Sequence, residues 1–198
     1  MISKAIITGG TGLVGQSLAR YLAKQNIDVL CIGRRQLSIE NIEQTLGKNV
    51  SYLSLNLENI DELENEIEKI KWITGDKCIF YHLAWVGVDR LTDGNMEDQL
   101  KNVVFSANAI KVAKKIGCVK FVNSGTIEET YAEWHFSKMS KYKSSQANYA
   151  IAKLAARDMC KMTAYLEKID YVHTRFSVPL SPDLTVGGYV PQTLKKII

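Results

Sequence analysis

No apolar run in this 198-residue chain approaches the length of a membrane span, so no spanning helix is predicted. Cysteine is scarce. The four residues (Cys31, Cys78, Cys118 and Cys160) are widely spaced and form no C-x-x-C pair, which argues against a disulfide framework or a metal site. Three of them sit in or beside strand-like apolar runs, as expected of buried free thiols in a reducing compartment. Neither sign of charge is massed: 25 Lys and Arg face 21 Asp and Glu, for a net charge of +4. With the lysines scattered, no nucleic-acid surface is expected. The first apolar stretch is short and ends in glycines, unlike a signal peptide, so a cytoplasmic location is expected. Internal repeats, low-complexity tracts and linkers are also lacking, and 198 residues suit one domain with a full core.

What is present is an alternation. Strand-like apolar runs at 4–8, 28–32, 50–55, 77–83, 119–123 and 171–176 are separated by stretches of helical spacing at 13–24, 39–46, 60–71, 96–116 and 146–167. The strand runs are mostly continuous rather than alternating, which predicts a parallel sheet covered on both faces. The order predicts an α/β fold, a doubly wound parallel sheet of the Rossmann type. Residues 190–198 read as the start of one more amphipathic helix.

The first strand run feeds directly into glycines, and two phases of the dinucleotide fingerprint are satisfied together. One is Gly10-x-Gly12-x-x-Gly15 and the other is Gly9-x-x-Gly12-x-x-Gly15. The early glycines permit a tight turn and close approach of the backbone to a pyrophosphate, and Gly15 permits close packing of helix on strand. The pyrophosphate is then expected at the positive end of the helix that starts near Leu13. The second strand run lacks the acid that would accept from an adenosine ribose hydroxyl, and ends instead in Ile32-Gly33-Arg34-Arg35. Guanidinium groups there suit a 2′-phosphate, so the cofactor is expected to be NADP or NAD, with Arg34 favouring NADP.

Tyr149 and Lys153 are four residues apart and share one face of a helix. An ammonium at that spacing is expected to stabilise a tyrosinate and lower the phenol from its usual value near 10, giving a usable acid/base. The run before that helix ends in Asn123-Ser124-Gly125-Thr126, at the edge of the sheet where ligands bind, which places Thr126 to hydrogen-bond a reacting oxygen.

With these motifs in this order, the chain resembles an extended short-chain dehydrogenase/reductase of the nucleotide-sugar epimerase/dehydratase family. Thr8 to Gly15 is similar to the family's cofactor motif, which brings Leu13 and Val14 to the cofactor. His82-Leu83-Ala84 resembles its fourth-strand motif, and Asn102 its helix asparagine near the cofactor. Ser124-Gly125-Thr126 lies where the family has a serine-rich segment, and Tyr149-x-x-x-Lys153 matches the catalytic pair. Asn56-Leu57 stands where an Asp is usual beside the adenine, and 175–181 follows the family's Arg-x-x-Asn/Ser segment only in part.

The resemblance implies Thr126, Tyr149 and Lys153 as catalytic residues. It implies contacts to cofactor from Gly9, Gly12, Leu13, Val14, Gly15, Arg34, Asn56, Leu57, Leu83, Ala84, Asn102, Ser124, Tyr149 and Lys153. It also implies a nucleotide-sugar substrate, a 4-keto intermediate, and either epimerisation or reduction. A 4,6-dehydratase using Glu128 is an alternative, and a non-catalytic dinucleotide sensor is another. Residues 1–198 are expected to form the NAD(P)-binding domain, with 177–198 opening a truncated substrate-binding part. A homodimer through helices 96–116 and 146–167 is expected as well.

Several residues are read as structural. Glu128 and Glu129 are placed in a polar loop, and His82 is read as packed or capping. His135 and His173 show no partner in the sequence. Lys138-x-x-Lys141-x-Lys143 is read as a solvated loop, and Trp72, Trp85 and Trp134 as core or pocket wall.

Overall fold

In the computed structural model, which describes residues 2–75, 77–87, 95–137, 147–177, 179–181 and 189–197, six parallel strands form one sheet. They are β1 (Lys4–Thr8), β2 (Asp28–Gly33), β3 (Val50–Ser54), β4 (Cys78–His82), β5 (Lys120–Thr126) and β6 (Asp170–Phe176). Their order is β3-β2-β1-β4-β5-β6, so the winding reverses between β1 and β4. A crevice opens at that switch, beyond the carboxyl ends of the strands. Thr8 and His82, the last residues of β1 and β4, are register partners there.

The helices are α1 (Leu13–Lys24), α2 (Ile39–Leu46), α3 (Leu63–Lys69), α4 (Met96–Lys115), α5 (Glu128–Ser137), α6 (Ala147–Glu167) and α7 (Tyr189–Ile197). Alternate strand residues feed two cores. Ile6, Leu30 and Ile32 pack with Leu63, Ile110 and Cys160 on one face, and Ile7, Val29 and Cys31 pack with Ala19, Leu22 and Leu46 on the other. Burial on both faces explains the continuous apolar runs of the inner strands. The expectation does not extend to β6, an edge strand whose Val172 and Phe176 are exposed. All four cysteines are buried free thiols, and burial pushes Cys31 and Cys160 up to about 12.

Two elements differ from the sequence reading. The single helix expected at 60–71 is a 3₁₀ turn (Leu57–Glu62) followed by α3. Leu57, Ile60, Leu63 and Ile67 are all buried, and a spacing of three suits a 3₁₀ turn as well as it suits an α-helix. The segment read as a polar loop is α5, and Glu129 in its first turn is fully buried. Trp134, read as core or wall, is 54% exposed on that helix. Trp72 is buried, with its indole N–H donating to Asp28 at 3.1 Å. The Lys138, Lys141 and Lys143 cluster lies outside the described residues, as does Gln146. No described helix is long and apolar enough to cross a membrane, and no metal-binding cluster occurs among the described residues.

Candidate active site

The glycine turn takes the Gly9-x-x-Gly12-x-x-Gly15 phase. Gly9 has a φ of +72°, a region that side chains rarely adopt, and a Cβ there would lie 2.8 Å from the Ala84 amide nitrogen. A Cβ on Gly15 would overlap the Gly9 carbonyl oxygen and come within 2.8 Å of the Gly10 Cα. These contacts draw the first turn of α1 onto the end of β1. Gly12 caps that helix in an extended conformation and no side chain caps it, so the amides of Leu13, Val14 and Gly15 have no acceptor within the helix.

A cleft of about 270 Å³ opens beside this turn. Of the expected cofactor contacts, Gly9, Gly12 and Arg34 line it, together with Asn56, Leu57, Leu83 and Ala84. Among the described residues, none that lines it is acidic. Oriented amides at a helix start, next to a turn that a side chain would fill, are suited to a pyrophosphate. The residues present therefore fit a dinucleotide.

A second cleft of about 280 Å³ adjoins the first, and Leu83 and Trp85 border both. Val14, Ser124, Thr126, Tyr149 and Lys153 line it, which brings β5, α1 and α6 to one place. Lys153 Nζ donates to the Ser124 carbonyl at 2.8 Å and lies 3.7 Å from the centre of the Trp85 ring. Trp85 meets Tyr149 edge to face at 6.0 Å, and its own N–H donates to Gln99 at 2.8 Å. Trp85 is thus the tryptophan that walls this cleft. Tyr149 and Thr126 face each other across this cleft's lining.

The electrostatics differ from expectation. Burial holds the Tyr149 phenol above its ordinary range, against the Thr126 hydrogen bond that favours the phenolate. Lys153 is not what sets it, because its amine is spent on Ser124 and Trp85 and lies 5.8 Å from the centre of the Tyr149 ring. Burial pushes Lys153 itself down to about 7. The unfolded chain then binds the extra proton between pH 7 and the lysine's ordinary 10.5. Through this group, stability is lowest below pH 7 and rises with pH across that window, at about 1.4 kcal/mol per pH unit. Urea melts at pH 6.5 and 9 are expected to show a smaller pH dependence in Lys153→Met than in the parent chain.

Leu13, Gly15 and Asn102 are not among the residues that line either cleft. The Asn102 side chain is buried, accepting from Val86 N–H at 2.8 Å and donating to the carbonyls of Val86 at 3.0 Å and Asp98 at 2.9 Å. It fixes the segment that carries Trp85. His82 is packed, bridging Thr8 Oγ1 at 2.9 Å and Ser106 Oγ at 3.1 Å. Burial pushes it down to about 3, so it is neutral.

Sequence reasoning missed Glu129. Its Oε1 accepts the Thr126 amide at 2.8 Å, and its Oε2 meets His173 Nε2 at 2.9 Å and Arg175 Nε at 3.2 Å. Thr126-x-x-Glu129 is the spacing of a reciprocal helix cap, a signal that could have revealed both α5 and this carboxylate. Glu128 is half-buried and lines neither cleft.

Residues 5–198 match the family described as the NAD dependent epimerase/dehydratase family. Among solved structures, the chain is similar to the Bordetella bronchiseptica enzyme WbmG in complex with NAD. The two share 21% identity and a TM-score of 0.71, over 100% of this chain and 60% of that one. It is also similar to a UDP-glucose 4-epimerase with UDP-glucose from Thermotoga maritima, at 18% identity and a TM-score of 0.68, over 94% of this chain and 60% of that one. A curated relative, the 3-oxoacyl-(acyl-carrier-protein) reductase FabG of Salmonella typhimurium, is 23% identical over 158 residues, or 75% of this chain. The chain spans 61% of that reductase's length.

Proposed function

The chain belongs to the NAD-dependent epimerase/dehydratase family, and from that premise we propose that it is an NAD(P)-dependent epimerase or reductase of a nucleotide-linked sugar, working through a 4-keto intermediate. One observation carries this reading: Thr126, Tyr149 and Lys153 line a single cleft that shares Leu83 and Trp85 with the glycine-lined one.

When bound, a nicotinamide dinucleotide supplies the acceptor and donor of hydride. Tyr149 Oη takes the proton from a sugar hydroxyl and returns it to the ketone oxygen. A phenol held above its ordinary range is protonated at neutral pH, so the resting site is loaded for the proton-donating half, and the proton-accepting half requires that the phenol first release its own proton to solvent. Thr126 hydrogen-bonds the oxygen as it gains or loses the proton. Lys153, fixed by Ser124 and Trp85, holds its amine at the floor of the cleft, and its charge state changes near neutrality. Epimerisation and reduction use the same three residues and differ in whether the hydride delivered to the sugar was first taken from it or comes from a reduced cofactor that is consumed.

Residues 1–198 then serve as the NAD(P)-binding domain, with 177–198 opening the substrate-binding part. The exposed apolar residues of α4 (Met96, Leu100, Val104) and of α6 (Ile151, Met159, Met162, Leu166) support the homodimer expected through these helices.

Incubation with NAD or NADP and a panel of UDP-, dTDP-, CDP- and GDP-sugars, followed by NMR of the sugar and absorbance of the reduced cofactor, tests the reading. Conversion of one of them at its C4 centre is expected. Cofactor binding without turnover on any member would overturn it in favour of a dinucleotide sensor. Arg34 in the lining of the cleft supports NADP over NAD. Arg34→Ala is therefore expected to weaken NADP binding by about 10–100-fold, the worth of a charged hydrogen bond, and to leave NAD binding nearly unchanged. Fluorescence titration of the two reduced cofactors reads the difference.

A further inference from the structure

Thr126-Ile127-Glu128-Glu129 forms a reciprocal cap at the start of α5. Glu129 Oε1 accepts the Thr126 N–H at 2.8 Å, and Thr126 Oγ1 accepts the Glu128 N–H at 3.4 Å. Caps of this kind ordinarily lie at the surface. This one is wholly buried at Glu129, and the second carboxylate oxygen is clamped from β6 by His173 and Arg175. Glycine at 125 makes the room, because a Cβ there would overlap both the His173 ring and the Glu129 carboxylate. Burial alone would raise this carboxyl, but His173, the Thr126 amide and Arg175 outweigh it and hold the group below the usual carboxylate range. A carboxylate this buried and this completely partnered has one geometry available to it, and so does the amide it holds.

Thr126 and Tyr149 also line one cleft, where the Thr126 side chain is the group that favours the phenolate. A threonine hydroxyl has one proton to give. With Oγ1 already accepting from the Glu128 amide, that proton is available to the Tyr149 oxygen across the cleft. We infer that Glu129 is a positioning residue of the site: through the Thr126 amide it fixes where the Thr126 hydroxyl points, and so whether that hydroxyl donates to Tyr149. The inference rests on Thr126 and Tyr149 working as the pair described above, but not on the identity of the sugar.

The readout is the titration midpoint of the Tyr149 phenol, followed by NMR of tyrosine labelled at Cζ and identified with Tyr149→Phe. It needs neither substrate nor cofactor. The ionisable groups facing Tyr149 are Lys153 from α6 and Glu128 and Glu129 from α5, with His173 and Arg175 from β6 behind Glu129. The negative charge of Glu129 itself raises the phenol, so losing the charge and losing the hydrogen bond push the midpoint in opposite directions.

Glu129→Asp keeps the charge but withdraws the acceptor by one methylene, and is expected to raise the midpoint, weakening phenolate formation about 3- to 10-fold. Glu129→Gln removes the charge, keeps an acceptor, and is expected to lower it. In a Thr126→Val background, the Asp substitution is expected to have no effect, because the hydroxyl it misdirects is gone. An unchanged or lowered midpoint in Glu129→Asp, or a rise that persists in Thr126→Val, overturns the inference. If Glu129→Asp does not fold, Glu129→Met against Glu129→Gln repeats the comparison without charge. The Met variant is expected to titrate higher, and equality of the two overturns the proposal. Absence of turnover on the whole sugar panel would defeat the proposed function while leaving this titration intact, so the two failures are told apart.

Discussion

Tyr149→Phe is expected to lower turnover by about 10²- to 10⁴-fold, the usual worth of a positioned acid/base, while the protein stays folded and still binds cofactor. Removing one hydroxyl leaves the ring, its edge contact with Trp85 and the packing of α6 in place. It deletes the only group in the proposal that handles the substrate proton. Thr126 then loses its partner on the cleft side, but its backbone stays capped by Glu129. Single-turnover measurement of cofactor reduction, alongside fluorescence titration of cofactor binding, separates the two effects. Equal losses of binding and turnover would mean that Tyr149 shapes the cleft rather than moving a proton. Retained turnover would remove it from the mechanism.

The second large effect concerns the glycine turn. Gly15→Ala is expected to destabilise the fold by about 1–3 kcal/mol, the cost of an extra methyl in a packed site. It is also expected to reduce dinucleotide affinity by roughly 10²-fold, as a shift of order 1 Å in a binding geometry does. A Cβ at 15 meets backbone atoms of Gly9 and Gly10, and backbone does not step aside as a flexible side chain does, so α1 must move off β1. The uncapped amides that would receive the pyrophosphate move with it. Gly12→Ala is the control, because its Cβ meets only the Gly9 carbonyl oxygen, at 3.3 Å. Calorimetry of cofactor binding and a urea melt of each variant check the ordering. Similar losses for the two substitutions would show that the turn demands flexibility at both positions rather than close contact at Gly15.

Part of the site was legible because its signals are local. Tyr149 and Lys153 share a helix face by spacing alone, and the glycine turn follows from two overlapping spacings, of which the structure takes the one that begins at Gly9. Other features misled for physical reasons. The apolar residues of α5 (Tyr131, Trp134 and Phe136) are exposed rather than aligned on a buried stripe, so no helical periodicity marked the segment. Glu129 looked like a solvated acid because its partners, His173 and Arg175, lie more than forty residues away on β6. The lowered phenol expected from the Tyr149 and Lys153 spacing failed in the same way. Spacing fixes which face a side chain takes, but the contacts that spend its charge come from other elements.

The amino-acid sequence by itself determined the alternation of strands and helices, the glycine turn between β1 and α1, and the three residues set around the second cleft. Backbone sterics and helical repeat act over a few residues, and that suffices for each of them. Only the tertiary structure decided the protonation of the pair and the burial of Glu129. Desolvation and long-range hydrogen bonds depend on what packs above and below a group, and that is known only once β5, β6, α5 and α6 have come together.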